Sequence, residues 1–152
     1  MLTPEQRQHV AAILSASNDL TIATVRPDGW PQATTVSFVS DGATIYFGTW
    51  SRSQKAMNIA ADPRVSVAVT APYTSWDTIE GVSLAAHAVR VTEMAELNRV
   101  FQLMMAKFPQ LGQYVKAGED AEMALYRIEP EIVSILDYRR GFGHTELASV
   151  AP

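Results

Sequence analysis

No cysteine occurs in the 152 residues. Disulfides, thiolate metal ligands and a cysteine nucleophile are therefore excluded. Positive charge is scarce: 12 Lys and Arg stand against 16 Asp and Glu, a net charge of −4, so general binding to nucleic-acid phosphates is not expected. No apolar run approaches the roughly 18 residues of a spanning helix. Met1-Leu2-Thr3-Pro4 lacks the basic start and apolar stretch of a secretory signal. The expectation is a cytoplasmic protein without membrane contact. HExxH, GxSxG, P-loop and GxGxxG patterns are all missing, which removes the usual support for zinc hydrolase, serine esterase, NTPase and dinucleotide-fold readings. His9, His87 and His144 have no metal-binding spacing; His9 is expected to face solvent and His87 to be a satisfied strand residue.

What is present reads as one globular domain over residues 1–152, since 47% hydrophobic against 18% charged residues is incompatible with disorder. Thr3-Pro4-Glu5-Gln6 starts a helix with a capping box, and Val10, Ile13 and Leu14 supply its apolar stripe. Leu20 to Val25 reads as a strand ended by the turn Arg26-Pro27-Asp28-Gly29, followed by a strand over Gln32 to Ser40. Asp41-Gly42 suits a type I′ hairpin into Ala43 to Thr49. A second helix is expected from Ser53 to Asp62, stopped by Pro63. Strands over Val65 to Val69 and Thr78 to Val91 follow, and then a third helix from Thr92 with Met94, Leu97, Phe101, Met104 and Phe108 on one side. Two final strands, Met123 to Ile128 and Glu131 to Tyr138, are expected to flank Pro130. Antiparallel strands with three flanking helices predict a mainly β, small closed barrel. Glu93, Glu96, Glu119 and Asp120 read as solvated charges.

Local rules are broken most clearly at Thr49-Trp50-Ser51-Arg52-Ser53-Gln54-Lys55. A helix N-terminus favours acids in its first turn, yet Arg52 and Lys55 stand there and no acid lies between Asp41 and Asp62. Hydroxyls of Thr49, Ser51 and Ser53, free backbone N–H groups and two cations suit a phosphate monoester. The alternative is a solvated loop in which Ser53 only caps the helix. Tyr138-Arg139-Arg140-Gly141-Phe142-Gly143-His144 reads either as a positioned loop or as a polar tail. The small side chains of Ala33-Thr34-Thr35-Val36-Ser37 either let a flat ligand approach the backbone or fill a tapering barrel.

Gly48-Thr49-Trp50-Ser51-Arg52-Ser53-Gln54-Lys55-Ala56, then Asn58-Ile59 and Asp62-Pro63-Arg64-Val65-Ser66, resembles the pyridoxamine 5′-phosphate oxidase-like flavin-binding split-barrel family. Asp28-Gly29-Trp30-Pro31 resembles that family's entry to its flavin-contacting strand, and the ending from Asp137 to His144 is similar to that of many general oxidoreductase members. The resemblance implies a homodimer of six-stranded antiparallel split barrels with FMN sites at the interface. It implies that Gly48 and Thr49 contact the cofactor, that Ser53 and Lys55 bind its phosphate, and that Thr34, Thr35, Val36 and Ser37 run along the ring. Arg52 would partly replace lost positive charge, Gln54 would stand beside the phosphate, and Trp76 and Phe142 would cover the site, Trp76 from the partner subunit.

Two departures matter. Gln54 and Ala33 stand where the vitamin B6 oxidase pattern has arginines, and its Arg-Leu-His substrate motif is missing, which argues against pyridoxamine phosphate oxidation. The expected activity is a flavin-dependent oxidoreductase moving hydride between the flavin and a small organic substrate, with His144 as a candidate proton donor. The alternatives are a deazaflavin-dependent reductase using a basic channel near Arg52, Arg139 and Arg140, a non-enzymatic flavin or haem carrier, and an empty barrel serving as an interaction module.

Overall fold

A computed structural model describes residues 1–114 and 122–150; Glu119 and Asp120 lie outside them. Helix α1 (Pro4–Ser15) begins with the expected capping box: Thr3 Oγ1 accepts from the Gln6 N–H at 3.1 Å while Gln6 Oε1 accepts from the Thr3 N–H at 3.0 Å. Then come β1 (Asp19–Val25), β2 (Pro31–Ser37), β3 (Val39–Asp41), β4 (Thr44–Trp50), α2 (Gln54–Ala61), β5 (Arg64–Thr70), β6 (Glu80–Arg90), α3 (Met94–Lys107), β7 (Met123–Asp137) and β8 (Thr145–Ser149). Short 3₁₀ turns at Trp76–Thr78, Pro109–Gln113 and Tyr138–Arg140 complete the path.

All strand pairs are antiparallel, in the order β2-β1-β5-β6-β7-β4-β3, with β8 added on β7. The sheet thus has eight strands, not the six implied by the resemblance. β2 and β3 lie at opposite ends of this order, yet only Phe38 separates them in the chain. One residue spans at most about 7 Å between its neighbours' Cα atoms, so the sheet must curl until its edges nearly meet. The single strand expected over Gln32 to Ser40 is therefore broken at Phe38, whose side chain turns into the core at 1% exposure. The Phe38 N–H leaves the ladder for the Asn18 carbonyl.

Three further expectations are corrected. The hairpin loop is Gly42-Ala43, because Asp41 still pairs with Thr44, and only Gly42 has a positive φ, of 58°. That is the pattern of a type II′ turn. Pro130 does not separate two strands. It sits within β7 where the register with β6 shifts between Ala85 and Ala86, a place where a missing N–H costs no ladder bond. The chain after Gly143 forms β8 on β7 and is not a tail.

Phe47, Leu20, Ile22, Ile45, Ile128 and Val133 fill the barrel with alternate residues of each strand. A second, smaller cluster of Val39, Tyr46, Val91 and Val100 seats α3 on the sheet. Glu96 of α3 is not a free surface charge: it accepts from Arg127 Nη1 at 2.6 Å and from the Tyr46 hydroxyl at 3.0 Å. Arg127 holds its carboxyl below the usual range.

Candidate functional site

The corner between β4 and α2 brings together the residues that broke local rules. Ser53 is the N-cap of α2, and its Oγ accepts from the Ala56 N–H at 3.1 Å. Thr49, at the end of β4, donates its hydroxyl to the same oxygen at 3.1 Å. With both acceptor positions used, the Ser53 proton points outward as a donor. The N–H groups of Gln54 and Lys55 begin the helix and have no intrahelical acceptor. No acid occupies the first turn. The Lys55 side chain is half-buried, and among the described residues it has neither a carboxylate within 4 Å nor a hydrogen-bond acceptor. Burial pushes its ammonium below the usual lysine value. A partly desolvated, unpaired cation beside an inward helix dipole and two hydroxyls is stabilised by an anion. Arg52 is exposed at the mouth of the same corner.

Gln54 does other work. Its Nε2 donates to Asn58 Oδ1 at 2.7 Å, and Asn58 Nδ2 donates to Thr24 Oγ1 at 3.0 Å and Gln32 Oε1 at 3.2 Å. Asn58 is fully buried. This chain pins α2 to β1 and β2, and so fixes where the cap and Lys55 point.

β2 presents two faces. Gln32, Thr34 and Val36 are the more buried set, with Gln32 bonded to α2, while Ala33, Thr35 and Ser37 are exposed. Thr34 Oγ1 is, among the described residues, the buried side-chain polar atom without a partner. An orphan hydroxyl between the α2 corner and an adjoining cleft is a polar group in want of a ligand. Val36, Ser37 and Gly48 share that cleft, which extends under α3. Ser37 Oγ donates to Asp19 at 3.0 Å.

Trp76, Phe142 and His144 lie elsewhere. β5 begins next to α2 and ends next to the Trp76 loop, and its seven residues separate the two ends by about 20 Å. At that far end the rings of Trp76 and Phe142 lie tilted by 30° with centroids 6.2 Å apart, both exposed, and Tyr138 is edge-on to Phe142 at 5.2 Å. Arg139 pairs with Glu80 at 2.7 Å and Asp137 at 3.0 Å, and Arg140 pairs with Glu146. His9 does not face open solvent; its Nε2 lies 2.7 Å from Glu80. His87 Nδ1 lies 3.1 Å from Glu131, and His144 Nε2 lies 3.5 Å from Glu146. The loop reading of Tyr138 to His144 holds, but its arginines are matched by acids and not by a free anion site.

An antiparallel sheet curled until its edges nearly meet, with helices on its rim, defines a split barrel. Residues 6–137 match the family described as pyridoxamine 5′-phosphate oxidase, and the chain belongs to that family. No curated protein matches the chain. Among solved structures it is similar to a haem binding protein from Mycobacterium smegmatis, with 20% identity and a TM-score of 0.80 over 98% of this chain and 60% of that one. This chain thus spans 60% of the length of that protein. The conserved hypothetical protein Rv2991 from Mycobacterium tuberculosis matches with 26% identity and a TM-score of 0.75, over 99% of this chain and 94% of that one. HutZ, the haem storage protein from Vibrio cholerae, matches with 20% identity and a TM-score of 0.65, over 79% and 86% respectively. Among the described residues no helix is long and apolar enough to cross a membrane.

Sequence reasoning found the corner because its charge pattern opposes the helix dipole. It missed the Asn58 network and the orphan Thr34 hydroxyl. A polar residue inside a short helix carries no sign of being buried, and an unsatisfied hydroxyl is a fact of packing alone.

Proposed function

We propose that this chain is a flavin-binding oxidoreductase that holds FMN by its phosphate at the β4–α2 corner. The observation that carries the reading is Lys55, half-buried beside the Thr49–Ser53 hydroxyl pair with no carboxylate of its own among the described residues. Bound there, FMN would supply hydride transfer to or from a small organic substrate. Ser53, Lys55 and the first N–H groups of α2 bind and orient the phosphate, while Thr34, Val36 and Gly48 shape the inner wall beside the ring. Thr35 and Ser37, on the outer face of β2, contribute main chain.

A homodimer completes this reading. Across the outer face of the sheet, Thr35, Thr21, Ala68, Ser83 and Ser134 pair in one row and Ala33, Ala23, Ser66, Ala85 and Ile132 in the next. These rows carry no charge, and most of their residues are exposed. A flat, uncharged face of small side chains suits isologous contact with a second copy. A two-fold axis across it sets the far end of one barrel against the α2 corner of the other. Trp76, Phe142 and His144 would then act from the partner subunit, His144 as the candidate proton donor.

The deazaflavin alternative loses its basic channel, because Arg139 and Arg140 are already matched by acids. The haem alternative is favoured by the two haem-linked structural relatives. It needs an axial ligand, and among the described residues no histidine lines the cleft beside the β4–α2 corner. The test is the absorption spectrum of the purified protein with the mass of any ligand released on denaturation. A flavin spectrum with released FMN supports the reading; a haem Soret band, or a colourless protein that takes up no added FMN, overturns it.

A further inference from the structure

Under α3 lies a cavity of about 840 Å³, larger than the β4–α2 corner needs for a phosphate and within the range of small-molecule sites. Phe38, Leu97, Phe101, Met104, Phe108 and Leu125 make most of its wall. Ser37, Asn98, Gln110 and Tyr114 are its polar members, and among the described residues none that lines it carries a charge. The charged groups of α3 already have partners: Glu96 pairs with Arg127 and Arg99 with Asp41, while Lys107, whose ammonium lies 4.2 Å from the centre of the Phe38 ring and does not itself line the cavity, donates to the Ser17 carbonyl at 2.6 Å. A charged ligand here would lose its hydration without finding a counter-charge among the described lining residues. Met104 and Met123 offer flexible, polarisable contacts that adapt to irregular apolar shapes. Phe101 and Tyr114 stand half or more exposed at the rim, which leaves an entrance from solvent.

We propose that this cavity is a binding site for an uncharged, predominantly apolar organic molecule, and that this molecule is the substrate class of the oxidoreductase. The second clause rests on the flavin reading; the ligand class rests on the cavity alone. Val36, Ser37 and Gly48 belong both to the cavity and to the candidate flavin wall, so an apolar ligand seated under α3 reaches the cofactor side without crossing solvent. Phosphorylated and carboxylated metabolites, pyridoxamine phosphate among them, are the wrong chemistry for this wall.

The test titrates the full chain with N-phenyl-1-naphthylamine, an uncharged apolar fluorophore, followed by displacement with 1-decanol or with decanoate at neutral pH. The expected result is one saturable site per chain, with decanoate needing at least about tenfold more than decanol to displace the probe. Phe101→Asp and Asn98→Trp, both at exposed positions of α3, should each weaken probe binding by about tenfold or more, the first by adding a charge and the second by filling space. Lys55→Ala should leave probe binding unchanged. No saturable binding, equal displacement by the two competitors, or indifference to both α3 substitutions overturns the proposal. Probe binding with the expected preferences in a protein that never takes up FMN supports the ligand class while refuting the flavin reading, so the two failures are distinguishable.

Discussion

The Thr49 hydroxyl donates to Ser53 Oγ at 3.1 Å, and that bond ties the end of β4 to the cap of α2. Because Ser53 already accepts from Thr49 and from Ala56, its own proton is left to donate outward from the cap. Replacing Ser53 by Ala should cost about 1 kcal/mol of stability through the lost cap and weaken FMN binding as well. Ser53→Asp separates the two effects. An aspartate caps as well as serine and suits the dipole, so thermal stability should be kept, while its charge repels phosphate and FMN binding should be lost. Paired melting and FMN titrations of both variants check this.

Asn58 is the buried peg on which the corner hangs. Asn58→Ala would strand the Thr24 hydroxyl and Gln32, and an unsatisfied buried polar group costs about 1–3 kcal/mol. At about 2–4 °C per kcal/mol for a chain of this size, Tm should fall by roughly 2–12 °C. Calorimetry on the variant gives the answer directly. A Tm unchanged within error would mean the network does not hold α2 in place.

Acid should destabilise the barrel in a defined window. Arg139 holds Asp137 low, Arg127 holds Glu96 low, and Arg64 pulls Asp62 down to about 2. Each folded-state value lies below its unfolded value, so the stability these groups contribute is complete above about pH 4–5 and is lost as pH falls toward the folded values. Urea midpoints should be flat from neutrality to about pH 5 and fall below about pH 4. Asp137→Asn should flatten part of that fall, and a wild-type midpoint that rose on acidification would contradict the assignment.

The outer sheet face should not tolerate charge. Ala68→Arg places a cation in the middle of the uncharged rows, and an unpaired charge buried at an interface costs several kcal/mol. Sedimentation should show the wild type at twice the chain mass and the variant at the chain mass. FMN affinity should fall with the dimer, since part of the site would come from the partner. A variant that stays dimeric would place the interface elsewhere.

Periodicity made most of the barrel legible: alternation in Val65, Val67 and Val69 marked β5, and the box at Thr3 and Gln6 marked α1. What failed were features that sequence-local rules cannot carry. Phe38 reads as a strand residue, yet it is the corner where the chain passes from one sheet edge to the other. Pro130 reads as a break, but the register shift in β7 absorbs it. β8 is only Thr145–Ser149, too short to show a period, and it exists because β7 offers it an edge. At the site the same division holds. Lys55 and Ser53 announce themselves by opposing a local rule, whereas the cavity under α3 depends on how far the Phe101 and Met104 side of that helix stands from the sheet.

The most direct measurement compares the dissociation constants of FMN and riboflavin for wild type and Lys55→Ala. If the corner is a phosphate anchor, wild type should prefer FMN by about 100-fold or more, close to 3 kcal/mol, and Lys55→Ala should lose at least about tenfold of that preference. Equal affinity for the two flavins, or a change below about threefold in the variant, would show that the phosphate is bound elsewhere or not at all.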